Sequence, residues 1–250
     1  MDPLPFPKPQ AALLLTAHGS ADPRSGAVTH AVAEQIRRLR PSLDVRVAFC
    51  ERSEPNLREV LAGLDRPGVI TPLLLASAYH ARVDIPAMIA ETGSDVVQAD
   101  TLGEDPRLIE ALRERLIPVT AGHRSREVGI LVVAVGSSHD AANARTATVA
   151  DVLRAEGQWA GVGTAFATGP KPSVGEGIAA LRELGARHVV LAPWFIAPGR
   201  ITDRVAAVAN AVGATMAAPL AAHRLVTATV LDRFDCAAAR RVAASLGSLR

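Results

Sequence analysis

Short apolar runs alternate with longer stretches of helical period along this chain, and the alternation predicts an α/β fold. The first run, Ala11 to Ala17, reads Ala-Ala-Leu-Leu-Leu-Thr-Ala, and the run from Val69 to Ala76 reads Val-Ile-Thr-Pro-Leu-Leu-Leu-Ala. Runs of this kind, without polar alternation, mark parallel strands covered on both faces. Between them Ala27, Val28, Ala31, Val32, Ile36 and Leu39 fall on one helical stripe ended by Pro41. Val45 to Phe49 then alternates as a strand, and Pro55 to Leu64 returns to helical spacing. Val83 to Thr92 is predicted as a helix with Pro86 in its first turn, and Asp95 to Ala99 as a fourth strand. Asp105 to Leu116 closes the series as a helix, with Asp105 as its cap and Pro106 at its first position. The second half repeats the order. Its strands are predicted at Ile130 to Val135, Gly161 to Phe166, Val189 to Ile196 and Thr215 to Ala217. Its helices are predicted at Asn143 to Ala155, Ser173 to Leu184, Ile201 to Val212 and about His223 to Leu246. Right-handed crossovers then give each half a four-stranded parallel sheet flanked by helices.

The order recurs because the sequence itself recurs. Adding 117 to the first-half numbers carries Gly19-Ser20 onto Gly136-Ser137, Ala48-Phe49 onto Ala165-Phe166 and Pro55 onto Pro172. Adding 121 carries Val69, Pro72 and Ala76 onto Val190, Pro193 and Ala197. Two domains are therefore expected, residues 10–118 and 127–250, joined by the small and polar stretch from Pro118 to Glu127. Pseudo-twofold symmetry between two such similar halves is the expected arrangement, with a ligand held between them.

Composition narrows the function classes. A net charge of +2, with no run of five or six like charges, leaves no basic stripe for nucleic acid. No apolar stretch reaches the roughly 18 residues that a membrane span needs. The proline-rich start, Met1 to Gln10, has no apolar signal core, so a cytoplasmic protein is expected. Cys50 and Cys236 lie far apart and suggest neither a disulfide framework nor a cysteine-held metal or cluster. Only 3% of the chain is aromatic, so the cores are expected to be built from Leu, Val, Ile and Ala.

The candidate chemistry lies in His18 and His80. Each follows an apolar run read as a buried strand, and open α/β sheets bind ligands beyond the carboxyl ends of their strands. Neither histidine survives in the second half: His18 falls on Val135, and His80 on Ile201 or Arg200. Histidines that only filled space in the fold would have no reason to be replaced in both places. Glu51 follows the second strand and can reach the same edge. Two imidazoles and a carboxylate suit a divalent ion of borderline softness, with room for open positions, and they also accept protons near neutral pH. His139, after Gly136-Ser137-Ser138, is a weaker candidate from the second half. Arg52, Arg82 and Arg200, with Ser20, are expected around the site, where arginine would bind ligand carboxylates in a two-pronged way.

At these residues the chain resembles the class II, sirohydrochlorin-type chelatases in the long form with two fused domains. The matching elements are Ala17-His18-Gly19-Ser20 with Asp22-Pro23, then Phe49-Cys50-Glu51 with Pro55, then Pro72-Leu73-Leu74-Leu75 leading to Tyr79-His80-Ala81-Arg82-Val83-Asp84-Ile85-Pro86. The second copy, with Ala192-Pro193-Trp194-Phe195 and Gly199-Arg200, resembles the degenerate domain of that form. The resemblance implies a chelatase-like fold with flavodoxin-like layering. It also implies insertion of Fe2+ or Co2+ into sirohydrochlorin, for siroheme or cobalamin synthesis. In that reading His18 and His80 hold the incoming metal and receive pyrrole protons, and Glu51 assists. The metal is a substrate, no tightly bound cofactor is expected, and a monomer is the default because each half supplies the other's partner. A non-catalytic metal or tetrapyrrole carrier using the same cleft is the alternative.

Overall fold

Each apolar run singled out above contains a parallel strand in the computed structural model, which describes residues 11–76 and 80–247. The first copy of the repeat runs β1 (Ala12–Ala17), α1 (Pro23–Leu39), β2 (Val45–Phe49), α2 (Leu57–Ala62) and β3 (Gly68–Pro72). A π-helical turn (His80–Asp84) leads into α3 (Ile85–Thr92), followed by β4 (Val96–Gln98) and α4 (Pro106–Thr120). After a 3-10 turn (Ser125–Glu127) come β5 (Val128–Ala134), α5 (Asp140–Glu156), β6 (Gly161–Phe166) and α6 (Val174–Glu183). The chain ends with β7 (His188–Pro193), α7 (Arg200–Ala211), β8 (Thr215–Met216) and α8 (Arg224–Gly247).

The strands form two four-stranded parallel sheets, ordered β2-β1-β3-β4 and β6-β5-β7-β8. In the first, Leu13 pairs with Val45 on one side and Val69 on the other, so β1 is the central strand. Strand order reverses around β1, which puts the ligand-binding crevice of an open sheet at its carboxyl end. On one face Ala12, Leu14 and Ile70 pack with Leu57 and Leu61 of α2 and with Ile85 and Met88 of α3. The second sheet repeats this with Leu131 and Val133 against Ile178 and Leu181 of α6 and Val205 and Ala209 of α7. Helix starts follow the expected chemistry. Asp105 accepts from Arg107 N ahead of Pro106 at the first helical position, and Ser173 with Glu176 forms a capping box.

Three features depart from the sequence expectation. First, β3 stops at Pro72, after which Leu73 N donates to Thr16 O at 2.8 Å and the ladder with β1 runs out. His80 therefore does not stand at a strand end but opens the turn into α3. Second, α4 continues through Pro118 to Thr120. Proline there forfeits its own N–H and crowds the carbonyl four residues back, yet Thr120 Oγ1 donates to Leu116 O and Ala121 N donates to Ile117 O, which closes the last turn.

Third, the two compact units are not the continuous stretches 10–118 and 127–250. Among the described residues, one comprises 11–21, 29–76, 80–102 and 230–247, and the other 22–28 and 103–229. In the first, the end of α8 buries Phe234 and Ala237. There Arg233 donates to the carbonyls of Thr101 and Leu102, and Arg40 holds Asp235. In the second, α4 buries Leu108, Ile109, Leu112 and Leu116, and its Glu114 pairs with His223 at 3.1 Å. An amphipathic stripe records that a helix face is buried. It does not record which sheet covers it, and here α4 goes with β5–β8 and the end of α8 with β1–β4.

Candidate metal centre

The β1–β2 ladder runs one step past both strands, and this step builds the site. Cys50 N donates to Ala17 O and Glu51 N to His18 O, each at 3.0 Å, so His18 and Glu51 are fixed side by side at the carboxyl edge. Glu51 Oε1 lies 3.6 Å from His18 Nδ1 and 3.0 Å from Arg52 Nε. The first distance is too long for a hydrogen bond but close enough for the imidazole and carboxylate to face one ion. Both side chains are a little under half exposed, 43% for His18 and 44% for Glu51, so solvent reaches both, while the His18 Nδ1 atom beside Glu51 is itself buried.

Gly19 makes the approach of the two loops possible. Its φ is +94°, and a Cβ there would stand 1.6 Å from the carbonyl oxygen of Glu51. No other residue fits. Beyond it Ser20 N donates to Ser53 Oγ at 3.0 Å, and Ser53 Oγ donates to Ser20 O at 2.9 Å. Both backbone groups of Ser20 are therefore engaged by Ser53, a latch that sequence reading misses because a lone loop serine carries no periodic signal.

Cys50, beside Glu51, is not part of the donor set. It is 5% exposed and packs into the core under α2 and α3. Burial first, then the nearby Asp84 and Glu51 carboxylates, push its thiol up to about 11, so it stays protonated and a poor metal ligand near neutral pH. The backbone of His80 begins the turn into α3, with exposed Arg82 on the same turn; the His80 side chain lies outside the described residues. Among the described residues no three His, Cys, Asp or Glu side chains gather into a ligand set. The donors brought together are His18 and Glu51.

The second repeat shows the same backbone without the chemistry. Thr168 N donates to Val135 O at 3.0 Å, as Glu51 N does to His18 O, so Val135 and Thr168 stand where His18 and Glu51 stand in the first copy. Gly136 has φ +95°, and a Cβ there would lie 1.7 Å from the Gly169 carbonyl oxygen. Neither replacement is a metal ligand. His139 is exposed at the N-cap of α5 and makes no side-chain capping bond. Arg200 is exposed at the start of α7, in the second unit. Close to it Asp22 is held down to about 2, chiefly by its bonds from Arg24, with Arg200 adding to the pull.

The family model described as CbiX matches residues 12–119 and, a second time, residues 129–237. The chain belongs to the CbiX family. Among relatives of this CbiX chain, the sirohydrochlorin ferrochelatase of Priestia megaterium is 28% identical over 206 residues, 78% of this chain and 76% of that protein. The sirohydrochlorin cobaltochelatase of the same organism is 25% identical over 207 residues, 78% of this chain and 67% of that one. Among solved structures, SirB from Bacillus subtilis with Fe3+ superposes with a TM-score of 0.79 at 20% identity, over 94% of this chain and 98% of that one. The CbiX described as the terminal enzyme for biosynthesis of siroheme in denitrifying bacteria gives 0.70 at 20% identity, over 90% and 99%. These likenesses establish a chelatase-type fold for the CbiX chain. No helix among its described residues is long and apolar enough to cross a membrane.

Proposed function

We propose that the protein inserts a divalent metal, Fe2+ or Co2+, into sirohydrochlorin, acting as a monomer in the cytoplasm. One observation carries the reading. A single backbone frame occurs twice, and only the first copy equips it with an imidazole and a carboxylate facing one another. The family membership and the two chelatase relatives agree with this assignment.

The chemistry follows from what insertion requires. The macrocycle loses two pyrrole N–H protons while the metal gives up water, so bases and metal donors have to share one cleft. His18 and His80 hold the metal and accept protons, and Glu51, beside His18, draws the cation and takes a proton in turn. An imidazole-carboxylate donor set accepts iron and cobalt alike, so metal supply selects between them. The acidic side chains of the macrocycle pair with Arg52 and Arg82, and Ser20 lies beside them.

The test is anaerobic absorbance of sirohydrochlorin with Fe2+ or Co2+ over time, for wild type, the His18→Ala, His80→Ala double variant and a no-protein control. Catalytic conversion that the double variant loses supports a chelatase and ranks the metals. Tight binding without acceleration over the control refutes it and makes the protein a carrier.

A further inference from the structure

The loop after β2 occurs twice, and each copy turns through a residue of positive φ, an arginine in the first and a glycine in the second. Phe49 N donates to Pro55 O and Phe166 N to Pro172 O, both at 3.0 Å, so the two loops have the same length and Arg52 corresponds to Gly169. Both residues have positive φ, +59° at Arg52 and +111° at Gly169. Nothing lies within 4 Å of where a Cβ would stand at Gly169, so glycine suits that place for its conformation and not for want of room. In the first copy an arginine occupies the position in spite of the steric penalty for a bulky residue there. Strain of this kind persists where the site has a use for it.

The use is visible beside it. Arg52 Nε reaches Glu51 Oε1 at 3.0 Å, closer than His18 Nδ1 at 3.6 Å, while the Arg52 side chain is 68% exposed. A cation arriving at His18 and Glu51 would have to compete with the guanidinium for the same carboxylate oxygen and against its positive charge. A ligand bearing several carboxylates faces the opposite situation, because it offers the guanidinium a two-pronged alternative to Glu51.

We propose that Arg52 guards Glu51, holding its carboxylate in the absence of substrate and passing to a macrocycle carboxylate on substrate binding, so that the macrocycle-free protein binds the metal more weakly. The proposal rests on the chelatase reading above. Arg52 is then a positioning residue for Glu51 and a contact for the substrate. It is kept in a left-handed conformation because that conformation turns its side chain back onto its neighbour.

Arg52→Gly and Arg52→Lys test this with three readouts: Co2+ titration of the macrocycle-free protein, steady-state kinetics with sirohydrochlorin, and thermal melting. Arg52→Gly should melt about 2 °C higher, the strain relieved outweighing the added freedom of the unfolded chain. It should bind Co2+ about fivefold more tightly, the scale of one exposed ion pair, and raise KM for sirohydrochlorin about tenfold through loss of a charge-assisted contact. Arg52→Lys should fall between wild type and Arg52→Gly in Co2+ affinity and KM, with no gain in melting temperature. A merely structural arginine would lower the melting temperature when removed. An idle surface arginine would leave KM unchanged. Unchanged or weaker Co2+ binding by Arg52→Gly, or an unchanged KM, would overturn the proposal. Absence of turnover by the wild type would instead overturn the chelatase reading, and the Co2+ titration would still report on the guard.

Discussion

Replacing Gly19 and Gly136 by alanine, one at a time, separates the scaffold of the site from its chemistry. The two glycines have the same conformation, φ +94° and +95°, and nearly the same obstacle, a carbonyl oxygen 1.6 Å or 1.7 Å from the missing Cβ. An alanine in that conformation costs about 1–2 kcal/mol. A Cβ essentially never approaches another heavy atom closer than 3.0 Å, so the loops after the two strands have to part by well over 1 Å at either position. That separation breaks Glu51 N to His18 O in one copy or Thr168 N to Val135 O in the other, both 3.0 Å, at about 1 kcal/mol. Each variant should therefore lose about 3 kcal/mol, seen as a melting temperature roughly 6–12 °C lower for a protein of this size.

Activity should divide the pair that stability does not. Gly19→Ala moves His18 away from Glu51, and an ångström of misplacement at a reacting centre costs about 100-fold in rate. Gly136→Ala moves Val135 and Thr168, which carry no metal chemistry, and kcat/KM should stay within about threefold of wild type when assayed well below both melting points. Urea or thermal melts and anaerobic metal-insertion kinetics read the two quantities independently. Stability losses differing by more than about 1.5 kcal/mol would refute the geometric equivalence, and equal activity losses would refute placement of the site in the first repeat.

His18→Ala and His80→Ala should each remove at least 100-fold of turnover with melting temperatures near wild type, and Val135→Ala should leave metal chemistry intact; a near-normal rate in either histidine variant removes that residue from the mechanism. Cys50 should resist a thiol reagent at pH 8 in the native protein while exposed Cys236 reacts, with both reacting in denaturant. The Cys50 thiol is raised from 9.0 to about 11, so between those values the unfolded chain releases its proton while the folded chain keeps it. Stability is thus undiminished by this group below pH 9 and falls by about 2–3 kcal/mol as pH rises to 11, a slope that Cys50→Ala should abolish. Phe234→Ala, at a side chain 1% exposed in the end of α8, should cost about 3–5 kcal/mol in a urea melt; a cost below 1 kcal/mol would show that the helix end does not cover the first sheet.

The strands and most helix starts were legible because local chemistry decides them. Ala11 to Ala17 is apolar almost throughout and too short for a typical helix, as a buried strand is, and Asp105-Pro106 carries its own cap. Helix ends and partners were less legible. Pro118 reads as a terminator, yet the turn around it closes through Thr120 and Ala121, and nothing in the stripe of Leu108, Leu112 and Leu116 names the sheet it covers. The adjacency of His18 and Glu51 was legible, since both follow strands that a right-handed crossover sets side by side. The position of His80 was not, because Leu73 to Ala76 continue the apolar run after β3 has ended at Pro72.

The duplication supplies information that neither copy holds alone. Where both copies keep a residue, as at Gly19 and Gly136, the backbone demands it, and the same carbonyl obstacle stands in both places. Where the copies part while the backbone hydrogen bonds match, as at His18 and Val135 or Glu51 and Thr168, or while both keep a positive φ, as at Arg52 and Gly169, the fold accepts either residue. Selection for chemistry then accounts for the choice. Arg52 is the sharpest instance, because there the first copy keeps the conformationally worse residue: glycine at that position relieves strain, and only a task at the site favours arginine over it.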